Sequence, residues 1–180
     1  MLTRERDKKL YESYSDDIPA FLKNIYAARS VTESQLALSL PGLLKPNFDQ
    51  LNIALNLLER AISENRRILI VGDFDADGAT ASAVAIKALR MMGAKFVDFL
   101  VPNRFEHGYG LSPEIVNEAK KEKEPDLIIT VDNGISSIEG TSLARSLAIE
   151  VIITDHHLPP TILPDTNAII NPNLEGCKFP

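Results

Sequence analysis

Four short aliphatic runs in this chain are each followed at once by acids, amides or histidines. The runs cover residues 68–71, 127–131, 151–154 and 168–170. Aliphatic runs of this length, separated by helical stretches, are typical of the buried strands of a parallel sheet. Ligands of such sheets bind beyond the carboxyl ends of the strands. If the four strands are neighbours, side chains far apart in sequence meet at one edge and can build a multi-metal site.

The alternation of strand and helix patterns that begins at Arg66 predicts an α/β fold, a layered domain with a parallel sheet and helices on both faces. A further strand is predicted over 96–101. The earlier part of the chain has only the apolar spacing of helices, with turns near Pro41 and Pro46. We therefore expect a helical N-terminal segment over 1–65 and the layered domain over 66–180.

Signals for the ends of helices accompany these patterns. The helix after the first strand is predicted to end at Gly93, and Ser112 followed by Pro113 predicts the start of another helix. Ser136 and Glu139 have the spacing of a capping box at the start of a third. The helix that ends at Gly93 is predicted to pack through one apolar face. This face consists of Ala81, Val84, Ala85, Ala88, Leu89 and Met92.

Length and composition fit one soluble domain. The chain has 180 residues, of which 44% are hydrophobic, enough for a sizeable core. No apolar stretch approaches the roughly 18 to 20 residues that a membrane helix needs, and the first nine residues contain no apolar core of a signal peptide. We expect a cytoplasmic protein without a membrane partner. The single cysteine, Cys177, has no second thiol with which to form a disulfide or bind zinc.

The net charge of −6 argues weakly against a nucleic-acid partner, because phosphate binding usually requires a basic surface. Several of the acids, however, lie in the predicted ligand clusters. Bound divalent cations would reverse the local sign there. The charge alone therefore does not exclude such a partner.

The first acidic loop, residues 73–78, is open to several interpretations. It matches the first half of a calcium-binding loop, but Val84 stands where the bidentate Glu should be. The loop also resembles that of haloacid dehalogenase-like phosphatases, although Ala79 does not fit. A receiver domain of two-component signalling would explain Asp132, but it has no use for two histidines after the next strand. The remaining alternative is an acidic turn that caps the following helix.

The other two loops narrow these alternatives. Residues 132–134 alone are equally compatible with a tight turn, whereas residues 155–157 place two of the three imidazoles of the chain at one point. Together the loops collect metal-type ligands at equivalent strand ends.

Carboxylates and imidazoles without thiolates favour Mn²⁺ or Mg²⁺, with Zn²⁺ or Co²⁺ as substitutes. The neighbouring Asp75 and Asp77 indicate a pair of ions, and two such ions are suited to hydrolysis of a phosphoester or phosphoanhydride.

The stretches that contain these loops read VGDFDADGAT, VPNRFEHGYGLSP, VDNGISS and TDHHLP. In this order they resemble the motifs of the DHH phosphoesterase superfamily, and within it the exonucleases of single-stranded DNA. The likeness runs from about residue 66 to residue 180. It implies Mn²⁺- or Mg²⁺-dependent 5′ to 3′ digestion of single-stranded DNA in recombination and repair. The partners implied are single-stranded DNA, single-stranded-DNA-binding protein and recombination helicases.

The resemblance also implies roles for individual residues. The implied metal ligands are Asp75, Asp77, Asp132 and His156, with Asp132 bridging both ions. The implied catalytic groups are His157, which touches the scissile phosphate, and the orienting carboxylates Asp155 and Asp73. The implied substrate-binding residues are Arg104, Gly108 and Gly110. The alternative for this last stretch is a glycine-rich loop with Tyr109 packed down and Arg104 solvated, and His107 is predicted not to be a ligand.

Members of this superfamily branch continue with a further metal-binding Asp, a second domain with a glycine-rich motif and an oligonucleotide-binding barrel. We therefore expect the chain to be an N-terminal fragment that is nearly inactive alone. Two other functions stay open. One is a superfamily phosphatase that acts on pyrophosphate, oligoribonucleotides or cyclic dinucleotides. The other is a non-catalytic interaction module that keeps the fold.

Overall fold

The computed structural model describes residues 5–37, 43–103 and 108–179. The chain divides into two compact units, Met1–Lys45 and Pro46–Pro180. The helix over Leu51–Ser63 belongs to the second unit. The compact unit that contains the sheet therefore begins before Arg66, where the sequence pattern places the start of the layered domain.

The first unit is helical, as the sequence predicts. Its described residues form α1 (Lys8–Ser13), α2 (Ala20–Ala28) and a 3-10 turn (Glu33–Leu36). Asp7 caps α1 by accepting a hydrogen bond from the backbone N–H of Leu10. The ring of Tyr14 is buried, and its hydroxyl donates to the carbonyl of Val31. This bond connects the segment after α1 to the segment after α2.

The second unit contains a five-stranded sheet in the order β2-β1-β3-β4-β5, and every strand pair is parallel. The strands are β1 (Arg67–Gly72), β2 (Phe96–Leu100), β3 (Leu127–Val131), β4 (Glu150–Thr154) and β5 (Ala168–Ile170). The helices are α3 (Leu51–Ser63), α4 (Ala76–Met91), α5 (Pro113–Glu122) and α6 (Ile138–Ser146). The four strands predicted to be neighbours, β1, β3, β4 and β5, are indeed adjacent.

Two hydrophobic cores lie on opposite faces of the sheet, because successive side chains of a strand point to opposite sides. Leu69 and Val71 of β1 pack into the core that contains residues of α5 and α6. Ile68 and Ile70 pack into the core that contains residues of α3 and α4. The structure thus confirms an α/β domain with helices on both faces. Within the described ranges, every helix is too short or too polar to traverse a bilayer.

Two details of the helices differ from the sequence pattern. Val84 and Met92, predicted to pack, are 67% and 68% exposed. The predicted capping box of Ser136 and Glu139 is wrong, because the N-cap of α6 is Ser137 and no side chain caps the helix there. The Ser137 hydroxyl instead accepts a hydrogen bond of 3.0 Å from the backbone N–H of Leu111. The Ser112 cap of α5 is confirmed.

A partly buried ion-pair cluster joins α3 to the start of β4. Glu150 accepts hydrogen bonds from the guanidinium groups of Arg60 and Arg66, and Arg66 also donates to the carbonyl of Asp126. Burial by itself would raise the pKa of Glu150, but the hydrogen bonds from Arg66 and Arg60 outweigh it and lower the pKa below its ordinary value of 4.5. The carboxylate is therefore ionised where it anchors α3.

Gly140 generates the first prediction, because the start of α6 lies against the chain before α5. A Cβ at this position would come within 1.8 Å of the carbonyl oxygen of Leu111. Replacing a helical glycine by alanine ordinarily stabilises a protein by about 0.5 to 1 kcal/mol. Here we expect Gly140→Ala to destabilise by roughly 1 to 3 kcal/mol through overpacking. Urea unfolding measures this, and Ser142→Ala on the exposed side of the same helix is the control. A gain in stability from Gly140→Ala would contradict the close contact.

The lowered pKa of Glu150 predicts a pH dependence of stability. Its stabilising contribution is complete above pH 4.5 and is lost as the pH falls through the folded-state value. We expect Glu150→Gln to lower the free energy of unfolding at neutral pH by about 1 to 2 kcal/mol. We also expect the variant to lose less stability than the wild type on acidification. Denaturant unfolding across pH measures both effects.

Glu124→Gln is the matched control for this measurement, since Glu124 pairs with Arg67 at the surface. Exposed pairs of this kind contribute about 0 to 1 kcal/mol. Parallel stability curves of the wild type and Glu150→Gln below pH 4.5 would show that the Glu150 cluster does not produce the dependence.

Candidate metal centre

The sheet brings three of the loops singled out in the sequence to one edge. The strand β1 leads into Asp73, β3 leads into Asp132 and β4 leads into Asp155. Residues Gly72, Val131 and Thr154 lie side by side in the register of these parallel strands. Their carboxyl ends therefore meet, and the polar residues that follow them are neighbours in space although far apart in sequence.

Asp132, His156 and His157 form a group that can hold a metal ion. One ligand atom from each lies within 4.8 Å of the others. Oδ1 of Asp132 is 2.8 Å from Nε2 of His156. The side chain of Asp132 is 7% exposed, whereas that of His156 is 62% exposed. The group thus combines a sheltered carboxylate with imidazoles that a ligand can reach from solvent.

Asp155 organises the two histidines. Its side chain is 1% exposed, and its Oδ1 accepts hydrogen bonds from the backbone N–H groups of His156 and His157 at 2.7 and 3.0 Å. The same oxygen is 2.6 Å from Nδ1 of His157, and Oδ2 accepts from the N–H of Ile135 at 2.9 Å. Burial would raise the pKa of Asp155, but the hydrogen bonds from His157, Ile135 and His156 outweigh it and lower the pKa.

The pairing with Asp155 sets the state of His157. The hydrogen bond to Asp155 raises the pKa of His157 above its ordinary value of 6.5, although burial opposes the shift, and the charges of Asp155, Asp132 and Asp73 contribute further. Because Nδ1 is paired with Asp155, Nε2 is the ring nitrogen that remains to bind a ligand.

Burial and a neighbouring negative charge both raise the pKa of Asp132. Burial raises this pKa, the charge of Asp75 raises it further, and the hydrogen bond and charge of His156 oppose both effects. Asp75 is therefore close enough to repel Asp132. A divalent cation between the two carboxylates would relieve this repulsion, so the donor set fits the ions favoured by the sequence.

The group of three does not contain every ligand that the resemblance implies. Asp75 and Asp77 are exposed and lie at the start of α4, outside the group formed among the described residues. Oδ1 of Asp75 accepts a hydrogen bond of 3.0 Å from the N–H of Gly78 and so caps the helix. Helix capping, which the sequence leaves open as an alternative for this loop, is thus one of its functions. Asp73 is buried, and its Oδ1 accepts from the N–H of Phe74.

The loop before α5 is described only in part. Arg104 and His107 lie outside the described residues. Gly108 and Gly110 both have a φ of 75°, a conformation that glycine adopts readily. Between them the hydroxyl of Tyr109 lies 3.4 Å from each ring nitrogen of His157 and 3.4 Å from the carbonyl oxygen of Asp132. In the sequence, a packed Tyr109 is only one of two interpretations of this loop, and neither assigns it a role in the site. Its position between two glycines is the one signal that could have indicated such a role.

Three amides outside the predicted site support it. The side chain of Asn171, after β5, donates to the carbonyl of His157, and that of Asn173 donates to the carbonyl of His156. Asn133 donates to the carbonyls of Val71 and Val131 and so joins the ends of β1 and β3. The clusters 132–134 and 171–173 therefore contain scaffold residues as well as a candidate ligand.

A cleft of about 810 Å³ opens beside His157. Asp73, Asp75, Tyr109 and Asp155 also line it. The cleft continues along the starts of α5 and α6, where Pro113 and residues 134–140 line it. The site therefore has room for more than a metal ion.

The chain matches the family described as DHH family, N-terminal domain, over residues 67–178. Two curated relatives bear the name single-stranded-DNA-specific exonuclease RecJ. The one from Dickeya dadantii is 53% identical over 167 residues, which are 92% of this chain and 29% of the relative. The one from Escherichia coli K12 is 51% identical over 166 residues, which are 91% of this chain and 29% of the relative. The chain thus spans less than a third of the length of these relatives.

Two solved RecJ structures are also similar to this chain. A crystal structure of exonuclease RecJ bound to manganese is 37% identical with a TM-score of 0.65, and the match covers 78% of this chain and 34% of that one. RecJ from Thermus thermophilus in complex with Mn²⁺ is 27% identical with a TM-score of 0.67. That match covers 98% of this chain and 25% of the other.

The contact between Asp155 and His157 predicts a titration in the metal-free chain. We expect the pKa of His157 to lie above 6.5, so the stabilisation from this pair is complete below that pH and is lost as the pH rises through the folded-state pKa. Asp155→Asn should bring the pKa of His157 down. NMR titration of the imidazole proton resonances in the presence of a chelator measures both values.

Asp165→Asn is the control for this titration, because Asp165 pairs with Arg145 at the surface. This variant should leave the His157 titration unchanged. A pKa of His157 at or below 6.5 in the wild type would contradict the hydrogen-bonded pair.

Proposed function

This chain belongs to the DHH family, and we propose that it forms the catalytic part of a metal-dependent exonuclease that digests single-stranded DNA. The observation that carries the proposal is the meeting of Asp132, His156 and His157 at the carboxyl ends of adjacent parallel strands. The names of the relatives, single-stranded-DNA-specific exonuclease RecJ, support the substrate class. The chain matches only 29% of each relative. The activity of these relatives is therefore proposed for this chain.

The ions proposed are Mn²⁺ or Mg²⁺, and the metal-bound RecJ structures support this choice. The residues that would hold them are Asp75, Asp77, Asp132 and His156, with Asp132 shared. His157 adjoins this set. When bound, a pair of such ions lowers the pKa of water and stabilises charge on the attacking and leaving oxygens of a phosphodiester.

The protein groups around the ions have separate proposed roles. Asp155 holds Nδ1 of His157 and the backbone of both histidines, so it orients a ring that can contact the scissile phosphate. Asp73 is buried beside these groups and adds its charge to the environment of His157. Arg104, Gly108 and Gly110 are proposed to contact the DNA backbone, and the left-handed conformation of the two glycines supports a close approach.

The cellular setting is proposed by analogy with these relatives. It comprises 5′ to 3′ digestion in recombination and repair, a cytoplasmic location, and work beside single-stranded-DNA-binding protein and recombination helicases. The net charge of −6 opposes DNA binding, but bound divalent cations would offset part of it at the site.

Metal binding tests the central part of the proposal. We expect the 180-residue chain to bind Mn²⁺ in a calorimetric titration, and Asp132→Ala to reduce this binding by at least about tenfold, because a charged ligand is removed. The control is Asp17→Ala, an exposed acid in the first unit, which should bind as the wild type does. Absence of Mn²⁺ binding by the wild type would support a non-catalytic module and contradict the proposal.

Hydrolysis tests the substrate class. The wild type should release mononucleotides slowly from a labelled single-stranded oligonucleotide in Mn²⁺, and Asp132→Ala should abolish the release. Pyrophosphate, oligoribonucleotides and cyclic dinucleotides are assayed beside it. Faster turnover of one of these small substrates than of single-stranded DNA would overturn the nuclease assignment in favour of the phosphatase.

A further inference from the structure

The strand β2 forms one outer edge of the sheet, where the described residues pair it with β1 alone. It continues into Val101, and Asp98 is the one charged residue in this apolar stretch. Phe96 and Phe99 are 54% and 53% exposed. Short apolar segments of high β-propensity on an open edge readily pair with another strand. The edge of β2 is therefore a surface that favours association unless something blocks it.

Two backbone groups at this edge are already bonded to side chains. The carbonyl of Val97 accepts a hydrogen bond of 3.1 Å from Nη2 of Arg90, in the last turn of α4. The N–H of Phe99 donates to Oδ1 of Asp98 at 2.8 Å. One residue of an additional parallel strand, placed beside Asp98, would bond these same two groups. Arg90 and Asp98 thus take the place of a residue of a neighbouring strand.

Lys123, directly after α5, reaches the same edge from the other face of the sheet. Its Nζ lies 2.7 Å from Oδ2 of Asp98. Because α4 and α5 pack on opposite faces, side chains from both layers meet at Asp98 and Val97. The hydrogen bond from Lys123 lowers the pKa of Asp98, the N–H of Phe99 lowers it further, and burial opposes both. Asp98 is therefore ionised at neutral pH.

The opposite edge of the sheet has a side-chain cap as well. The N–H of Ile169 in β5 donates to Oε1 of Gln50 at 2.8 Å. Ile169 is buried, however, whereas Phe99 of β2 is half exposed. The edge of β5 is thus covered by packing, and the edge of β2 is covered mainly by charged side chains.

We propose that Arg90, Asp98 and Lys123 form an edge cap that prevents β2 from pairing with β2 of a second copy of this chain. A second copy supplies the same strand, and two identical edges can pair antiparallel about a two-fold axis. In the register that pairs all five residues of β2, Asp98 lies opposite its own copy. Like charges directly opposite one another are destabilising. Pairing also requires the bonds to Val97 and Phe99 to break. This inference does not depend on the proposed function.

Self-association of the 180-residue chain, measured by sedimentation velocity, tests the edge cap. We expect the double variant Arg90→Ala with Asp98→Val to self-associate at least about tenfold more strongly than the wild type. The reason is that both backbone groups are freed and the opposed carboxylates are removed. Circular dichroism and thermal unfolding verify that the variant folds.

The matched control is Arg145→Ala with Asp165→Val. It removes an ion pair between the same residue types, exposed and outside β2, and leaves the net charge of the chain unchanged, as the double variant does. The control should associate no more strongly than the wild type. Equal association of the control and the double variant would show that the loss of an ion pair, and not the open edge, causes it.

Phe99→Pro, added to the double variant, locates the association. Proline removes the N–H that faces the free edge, and edge strands tolerate it where that N–H faces solvent. Self-association should return to the wild-type level. Association that persists would involve a different surface and would overturn the proposal.

Asp98→Asn alone separates charge from hydrogen bonding. The amide oxygen can still accept from the N–H of Phe99, so self-association should rise only about two- to fivefold through the loss of charge repulsion. This milder variant decides the question if the double variant does not fold. A folded double variant, or in its place Asp98→Asn, that associates no more strongly than the wild type would show that the edge needs no cap.

Discussion

The parallel pairing of β1, β3 and β4 is the constraint on which the candidate site depends. Parallel strands all end at the same edge, so the residues after Gly72, Val131 and Thr154 must be neighbours. Helices packed on both faces make this arrangement stable, because each strand buries side chains on two sides. The loops then need only short excursions from the strand ends to place carboxylates and imidazoles together.

Asp155 converts this rough proximity into a defined geometry. An ionised carboxylate with 1% of its side chain exposed is costly unless its oxygens accept hydrogen bonds. Three backbone N–H groups and the His157 ring surround it. The same bonds that offset its burial also fix the loop after β4 and tie it to Ile135. A residue that is not itself among the grouped ligands thus determines where those ligands point.

Much of the fold and part of the site follow from features visible in the sequence. Buried parallel strands are apolar on both faces, so their runs stand out, and the pairing of Asp132 with His156 follows from their strand ends. The errors arise where tertiary contacts override a local pattern. Ser136 has the spacing of a cap, but the hydroxyl of Ser137 binds the chain before α5 instead. Tyr109 reaches His157 from an irregular loop. The hydrophobic periodicity of a sequence predicts helices and strands but not the conformation of such a loop. Which carboxylates share an ion depends on side-chain positions that strand patterns do not define.

The accumulation of negative charge at the sheet edge connects folding to function. Burial raises the pKa of Asp132 and the nearby charge of Asp75 raises it further, so the two carboxylates repel one another. The whole chain carries a charge of −6. Such repulsion disfavours the folded arrangement unless cations occupy the edge. Any ion that binds the folded chain and not the unfolded one stabilises it by mass action. The acids that repel one another at this edge are therefore the same groups through which a bound cation can stabilise the folded chain.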